Sequence, residues 1–164
     1  MWEFEHSVET SARREFAWDF WTNVDNWVLD TSVEWVRLSG PFATGSKGAT
    51  KSPGLDPVAW TLREVIPQQQ ASIEMVLDGA TLLFEWRFED TPPGGTLITQ
   101  RARLTGEKAE LFAELVGPEF EAGIPLGMQK LATEVELAEK TERAGSPPDS
   151  RFSEILARQR RNRF

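Results

Sequence analysis

LLFEWRFE, residues 82–89, is the stretch that decides the fold. Leu82, Phe84, Trp86 and Phe88 alternate with Leu83, Glu85, Arg87 and Glu89. A period of two over this length marks a strand with one buried and one wet face. Turn chemistry bounds it on both sides. Asp78-Gly79 precedes it as a hairpin signal, and before that turn Ile73, Met75 and Leu77 alternate with Ser72, Glu74 and Val76 within Ala71–Leu77. Pro92-Pro93-Gly94-Gly95 follows it, and Thr96–Leu104 returns as the last strand, stopped by Gly106. Neighbouring strands joined by tight turns make an antiparallel meander.

The same reading extends toward the N-terminus. Val58–Val65 is a strand ended by Pro67, and Ser52-Pro53-Gly54-Leu55-Asp56-Pro57 is a turn. Lys47–Lys51 is a short strand flanked by Gly45 and Gly48, and Val28–Leu38 is a strand broken by Gly40-Pro41. Trp2, Phe4, His6 and Val8 alternate with Glu3, Glu5, Ser7 and Glu9 as the opening strand. Thr10 or Ser11 is suited to cap the helix that follows, because a hydroxyl satisfies free backbone N–H groups. Phe16, Phe20 and Trp21 share one face of that helix, which dissolves at Asp25-Asn26.

After Gly106 the apolar period becomes helical. Leu111, Phe112, Leu115 and Val116 make a short apolar face, and Gly117-Pro118 interrupts it. Leu126, Leu131, Val135 and Ala138, with Met128 and Ala132 alongside, carry a helix to Arg143. Gly123, Pro125 and Gly127 predict a bend or a late start in it. The expected fold is α+β, a curved antiparallel sheet of about six or seven strands wrapped around a long C-terminal helix. The last helix is the one element long enough to cover the sheet.

Composition narrows the function classes. Forty per cent of the 164 residues are hydrophobic, enough for one domain with a real core. That domain spans residues 1–143, and 144–164 form a basic tail, partly disordered or a short helix carrying Phe152, Ile155 and Leu156. The net charge of −8 is unevenly spread: from Gly145 on, five arginines face Asp149 and Glu154, a surplus of +3 that leaves the preceding body at −11. Such a body repels nucleic acid and anionic membranes. The chain has no cysteine, no leader pattern at Met1–Glu5 and no apolar run that would span a bilayer. The expected setting is the cytoplasm, with a homodimer left open.

At this point the pattern resembles the START-like, or SRPBCC, superfamily of polyketide cyclases, lipid-transfer domains and pollen-allergen-type proteins. The residues that carry the resemblance are Trp2–Val8, the helix ending near Trp27, the segment from Gly40 to Gly48, Trp60–Pro67, the segment from Gly94 to Gln100 and the closing helix. The resemblance covers residues 1–143 and implies a helix-grip fold with an apolar cavity between sheet and last helix. It implies binding of a hydrophobic small molecule or lipid there. His6, Trp60, Met75, Phe84, Trp86, Gln100, Met128 and Leu131 are the residues expected to line that cavity.

The chemistry available is sparse. His6, the one histidine, shares a strand face with Trp2, Phe4 and Val8 and should point inward, either as a polar anchor or general acid/base in the cavity or as a core histidine bonded to a backbone carbonyl. Gln100 shares a face with Ile98 and Ala102, where its amide can orient a ligand carbonyl or meet solvent. Arg101 and Arg103 take the opposite face and should pair with Glu85 or Glu89. Trp18, Trp21 and Trp27 either edge the pocket mouth or pack the first helix onto the sheet. One histidine and no cysteine give no metal site, and no acidic loop has calcium spacing. No cofactor is expected, and a nucleophile triad lacks its base. Gly40, Gly45 and Gly48 lack the Gly-Lys-Ser/Thr ending of a phosphate loop. Three functional readings follow: a carrier or sensor of a hydrophobic ligand, a cyclase- or aromatase-like enzyme acting by orientation, and a protein-interaction module using the tryptophans and the tail.

Overall fold

The computed structural model describes residues 1–30 and 32–144, so the expectations for the segment 145–164 fall outside the described residues. Seven strands form one antiparallel sheet: β1 (Trp2–Thr10), β2 (Trp35–Ser39), β3 (Lys47–Lys51), β4 (Val58–Ile66), β5 (Gln70–Leu77), β6 (Ala80–Thr91) and β7 (Gly95–Thr105). Their order is β1-β7-β6-β5-β4-β3-β2. β2 to β7 is an unbroken meander, and β1 extends it by pairing with β7 from Trp2 opposite Leu104 to Thr10 opposite Thr96. Helix α1 (Arg14–Thr22), a 3-10 turn (Val24–Leu29) and the long helix α2 (Ala109–Arg143) complete the helix-grip α+β fold.

Alternation sorts the two faces of the sheet as the sequence predicts. The convex face carries an ion-pair ladder. Arg101 reaches Glu3 at 2.6 Å and Glu85 at 3.8 Å, and Arg103 reaches Glu3 at 3.5 Å and Glu85 at 3.8 Å. Glu3 on β1 takes the place expected of Glu89, because Glu89 lies opposite Leu97, four residues along β7 from Arg101. The Arg101 hydrogen bond, helped by the charges of Arg101 and Arg103, holds the Glu3 carboxyl below its ordinary 4.5. A register shift between Leu62 and Glu64 of β4 inserts one residue against β5. Such a bulge bends the strand and adds curvature.

The structure corrects four local expectations. Val28–Leu38 is not one strand: the 3-10 turn runs to Leu29 and β2 begins only at Trp35. Trp27 sets that boundary, since its indole N–H donates to the Trp21 carbonyl at 2.6 Å and folds the chain back onto α1. Second, α2 runs unbroken through Pro118 and Pro125. The carbonyls that lose a donor belong to Glu114 and Glu121, both exposed, so water can replace the missing bonds. Third, α2 is not the sole cover. It lies chiefly against β1, and a helix about 10 Å across cannot roof seven strands spaced about 4.8 Å apart. The tryptophan-rich α1 and the 3-10 turn cover the other half.

Fourth, neither Thr10 nor Ser11 caps α1; the N-cap is Arg13, with no side-chain bond of its own. Helix α2 supplies the acceptors. The Ser11 N–H donates to Glu136 Oε1 at 2.8 Å, and the Arg13 N–H and Nε donate to Glu139 Oε2 at 3.0 and 3.3 Å. Glu139 is 5% exposed and also pairs with Arg143 at 3.3 Å. Thr10 Oγ1 instead accepts from Ala12 N–H and donates to the Ala132 carbonyl. Glu139→Ala should therefore unlatch α2 from the start of α1. Arg13 and Arg143 are half exposed and return to water, so the loss is that of a hydrogen-bonded carboxylate, about 2 kcal/mol. Thermal denaturation should show a fall of roughly 4–8 °C, with Glu139→Gln falling between the two.

Candidate ligand-binding site

The interior is two packed clusters with a band between them. The larger sits under α1 and is aromatic. Trp21 stands 4.9 Å from Trp86, 5.3 Å from Phe42 and 5.4 Å from Phe88, and Trp27 stands 5.6 Å from Trp60, ring centre to ring centre. The tryptophans of α1 thus pack the helix onto the sheet, the simpler of the two expectations for them. The smaller cluster lies at the start of α2, where Leu82, Leu104 and Ala109 are buried and Trp2, Phe112, Val116 and Phe120 surround them.

Strand register places two rows of inward side chains in the band. One is His6, Gln100, Trp86 and Ala71; the next is Phe4, Ala102, Phe84 and Ile73. In the flanking rows bulky residues meet and are sealed: Val8, Ile98 and Phe88 on one side, Leu104 and Leu82 on the other. In the band the buried positions of β5 and β7 include Ala71 and Ala102, both sealed. His6, Gln100, Trp86, Phe4 and Phe84 all point inward and all stay half-buried. Among the described hydrophobic residues Phe4 packs against neither cluster.

His6 and Gln100 are direct cross-strand partners, which puts their Cβ atoms about 5 Å apart. Among the described residues neither side chain has a hydrogen-bond partner, and neither has a polar atom sealed from water. They form an adjacent donor–acceptor pair in an otherwise apolar band. From α2, Ile124 and Leu131 are half-buried against the larger cluster. The helix meets the loop after the 3-10 turn at Gly127, where a Cβ would stand 3.1 Å from the Asp30 carboxylate.

Six of the eight residues singled out in the sequence are half-buried: His6, Met75, Phe84, Trp86, Gln100 and Leu131. Trp60 and Met128 are sealed instead, 3% and 1% exposed, and the Trp60 indole N–H donates to Thr50 Oγ1 at 2.9 Å. Phe4 and Ile124 join the candidate list. Phe4 was legible in the β1 alternation. Ile124 was hidden between Gly123 and Pro125, where the sequence reads as a weakened helix. A surface cleft of about 630 Å³ lies elsewhere, lined by residues that include Arg13, Thr91, Pro93, Glu136 and Arg143. Its Arg13 and Arg143 are both held by Glu139.

Residues 1–136 match the model of the family described as polyketide cyclase / dehydrase and lipid transport. The chain belongs to that family. No curated protein matches it. Among solved structures, this family member is similar to an aromatase/cyclase from a Streptomyces species, with a TM-score of 0.70 and 13% identity over 89% of this chain and 99% of the other. It is similar to truncated norcoclaurine synthase from Thalictrum flavum, with a TM-score of 0.65 and 14% identity over 82% and 92% of the two chains. It is also similar to a protein from Nitrosomonas europaea, with a TM-score of 0.66 and 15% identity over 85% and 96%. At these identities the likeness is one of fold. No helix among the described residues is long and apolar enough to cross a membrane.

Proposed function

We propose that this member of the polyketide cyclase/dehydrase and lipid transport family binds a hydrophobic small molecule in the band between its two core clusters. One observation carries the reading: Phe4, Phe84, Trp86, His6 and Gln100 face the interior yet remain half-buried, between flanking rows that are sealed. An apolar concavity with a few convergent polar groups is the usual design of a small-molecule site. The His6–Gln100 pair orients a ligand oxygen, and the aromatic rings supply the contact area.

Native mass spectrometry after gentle extraction should show mass bound to the folded chain, and an apolar fluorophore such as anilinonaphthalene sulfonate should bind to it. Neither appearing would end the proposal. Two polar anchors also make a specific prediction. His6→Ala and Gln100→Ala should each weaken a carbonyl-bearing aromatic probe roughly tenfold, the worth of one hydrogen bond. A hydrocarbon probe of the same shape should bind unchanged, as titration of probe fluorescence would show.

A second reading, cyclisation of a reactive chain, draws support from the same pair. An imidazole and an amide side by side can donate hydrogen bonds to a developing enolate oxygen while the aromatic walls fix the chain's shape. It needs turnover that falls in both variants with binding of the hydrocarbon probe intact.

A further inference from the structure

The outer face of α2 carries an apolar stripe that the ligand site does not use. Leu111, Leu115, Leu126 and Leu137 are 52%, 63%, 74% and 56% exposed. With Ala122 and Thr133, also exposed, they sit at alternating intervals of four and seven residues. That 11-residue repeat, 3.67 residues per turn, keeps the stripe on one face over the whole helix. The face opposite buries Gly117, Met128, Ala132 and Val135. A surface helix ordinarily shows water its polar side, and a line of exposed leucines marks a surface that something covers. Gly123 adds a second sign. It is exposed, and a Cβ built on it would meet nothing within 4 Å. Glycine weakens a helix interior, and the packing of this chain on itself gives no reason for one there. Close approach by another backbone does.

The charges beside the stripe select what covers it. They are sorted by sign: Glu114, Glu119 and Glu121 are exposed along its first half, Lys130 and Lys140 along its second. Among the described residues none of these five has an ion-pair partner. By helical spacing Glu119 and Lys130 lie on one flank of the stripe, Glu114 and Lys140 on the other. We propose that a second copy of this chain covers the stripe, its α2 running antiparallel about a two-fold axis at Leu126. Leu115 and Leu137 each lie eleven residues from Leu126, so pairing Leu126 with the partner's Leu126 sets Leu115 on the partner's Leu137. An antiparallel two-fold also brings each flank against its own copy. Glu119 then stands three residues, about 4.5 Å along the axis, from level with the partner's Lys130, and Glu114 two residues, about 3 Å, from level with the partner's Lys140. Lysine side chains span both offsets. A parallel pair would set the acidic halves together. Ala122 and Gly123, one turn before Leu126, carry the least bulk where the two helices approach most closely. The stripe from Leu115 to Leu137 runs about 33 Å along a helix about 10 Å across. That is small beside the roughly 800 Å² per partner of a standard interface, so the dimer forms weakly and by mass action.

The full chain supplies the test. In sedimentation equilibrium its average mass should rise from 18.5 kDa toward twice that value as the concentration approaches roughly 300 μM. A mass that stays at 18.5 kDa there would overturn the proposal. Leu126→Glu sets two carboxylates face to face on the axis and should abolish the dimer. The side chain is exposed, so the melting temperature of dilute protein should hold. Glu119→Lys should weaken the dimer roughly tenfold, since the change acts twice across the two-fold, and adding Lys130→Glu to the same chain should restore it. The absence of cysteine lets single cysteines report the register. Under mild oxidation Leu126→Cys should crosslink to its own copy at least roughly tenfold faster than Leu137→Cys, whose mate lies about 33 Å away in the proposed pair. Equal rates, or faster crosslinking at position 137, would overturn the antiparallel pair. So would a dimer that survives Leu126→Glu, or a charge swap that restores nothing.

Discussion

Trp21→Ala is expected to cost about 3–5 kcal/mol, the largest single loss in the molecule. Trp21 is 4% exposed, and its ring meets those of Trp18, Trp27, Phe42, Trp86 and Phe88 within 5.8 Å. It thereby joins α1, the 3-10 turn, the loop before β3 and β6. Its backbone carbonyl still accepts from the Trp27 indole in the variant, so the loss is packing alone. Five aromatic neighbours cannot collapse into the vacancy without breaking their own edge and stacked contacts, which keeps the cost near the upper end. Urea denaturation should read the free energy, and the melting temperature should fall by roughly 6–20 °C. The vacancy also has a functional sign. Trp86 lines the band on one side and touches Trp21 on the other, so removing Trp21 joins new space to the proposed site. The variant should accept a longer probe than the parent does. A loss under about 1 kcal/mol with unchanged probe length would show that the cluster refills itself.

The same cluster shows how far the sequence could be read. Alternation in Leu82–Phe88 and Trp2–Val8 carries both strand identity and facing, because in a strand facing follows from parity alone. That is why the inward placement of His6 and Gln100 was legible, and why their adjacency was not. Adjacency depends on β1 crossing the fold to pair with β7, a contact between residues 94 positions apart. The division of the interior into two clusters also escaped a one-dimensional reading. Trp60 and Trp86 look alike as inward tryptophans, but Trp60 is sealed between Trp27 and Thr50 whereas Trp86 sits at the edge of a band floored by Ala71 and Ala102. Whether an inward ring is sealed or half-buried follows only once register shows what stands beside it. In α2, Pro118 and Pro125 mark local helix weakness correctly. Burial of Gly117 against Trp2 and of Met128, Ala132 and Val135 in the larger cluster overrides that preference.

Gly48 is the clearest case of a residue whose role the sequence disguises, and substituting it should have the second-largest effect. It reads as a turn former beside Gly45. In the structure it lies inside β3, opposite Leu38 on one side and Trp60 on the other. A Cβ built there would overlap Trp60 Cη2 and Cζ2 and stand 2.7 Å from the Arg37 carbonyl. The carbonyl belongs to the β2–β3 ladder, so the strand cannot slide away. The indole cannot swing freely either, being 3% exposed, bonded to Thr50 Oγ1 and tilted against Trp27. β2 and β3 have five residues each, too few to spread the distortion. Gly48→Ala should therefore destabilise by about 2–3 kcal/mol through overpacking, after a small opposing gain from the stiffer unfolded chain. Gly48→Val should exceed it. The mechanism predicts its own rescue. Trp60→Leu alone leaves a void and costs a few kcal/mol by itself, but it removes the indole from the clash and leaves only the Arg37 carbonyl. Gly48→Ala combined with Trp60→Leu should then be more stable than the summed single losses by at least about 1 kcal/mol. Urea titrations of the four proteins supply the cycle. Losses that simply add would mean the indole and the glycine are neighbours without being coupled, and the aromatic end of the site would owe its position to Trp27 and Thr50 alone.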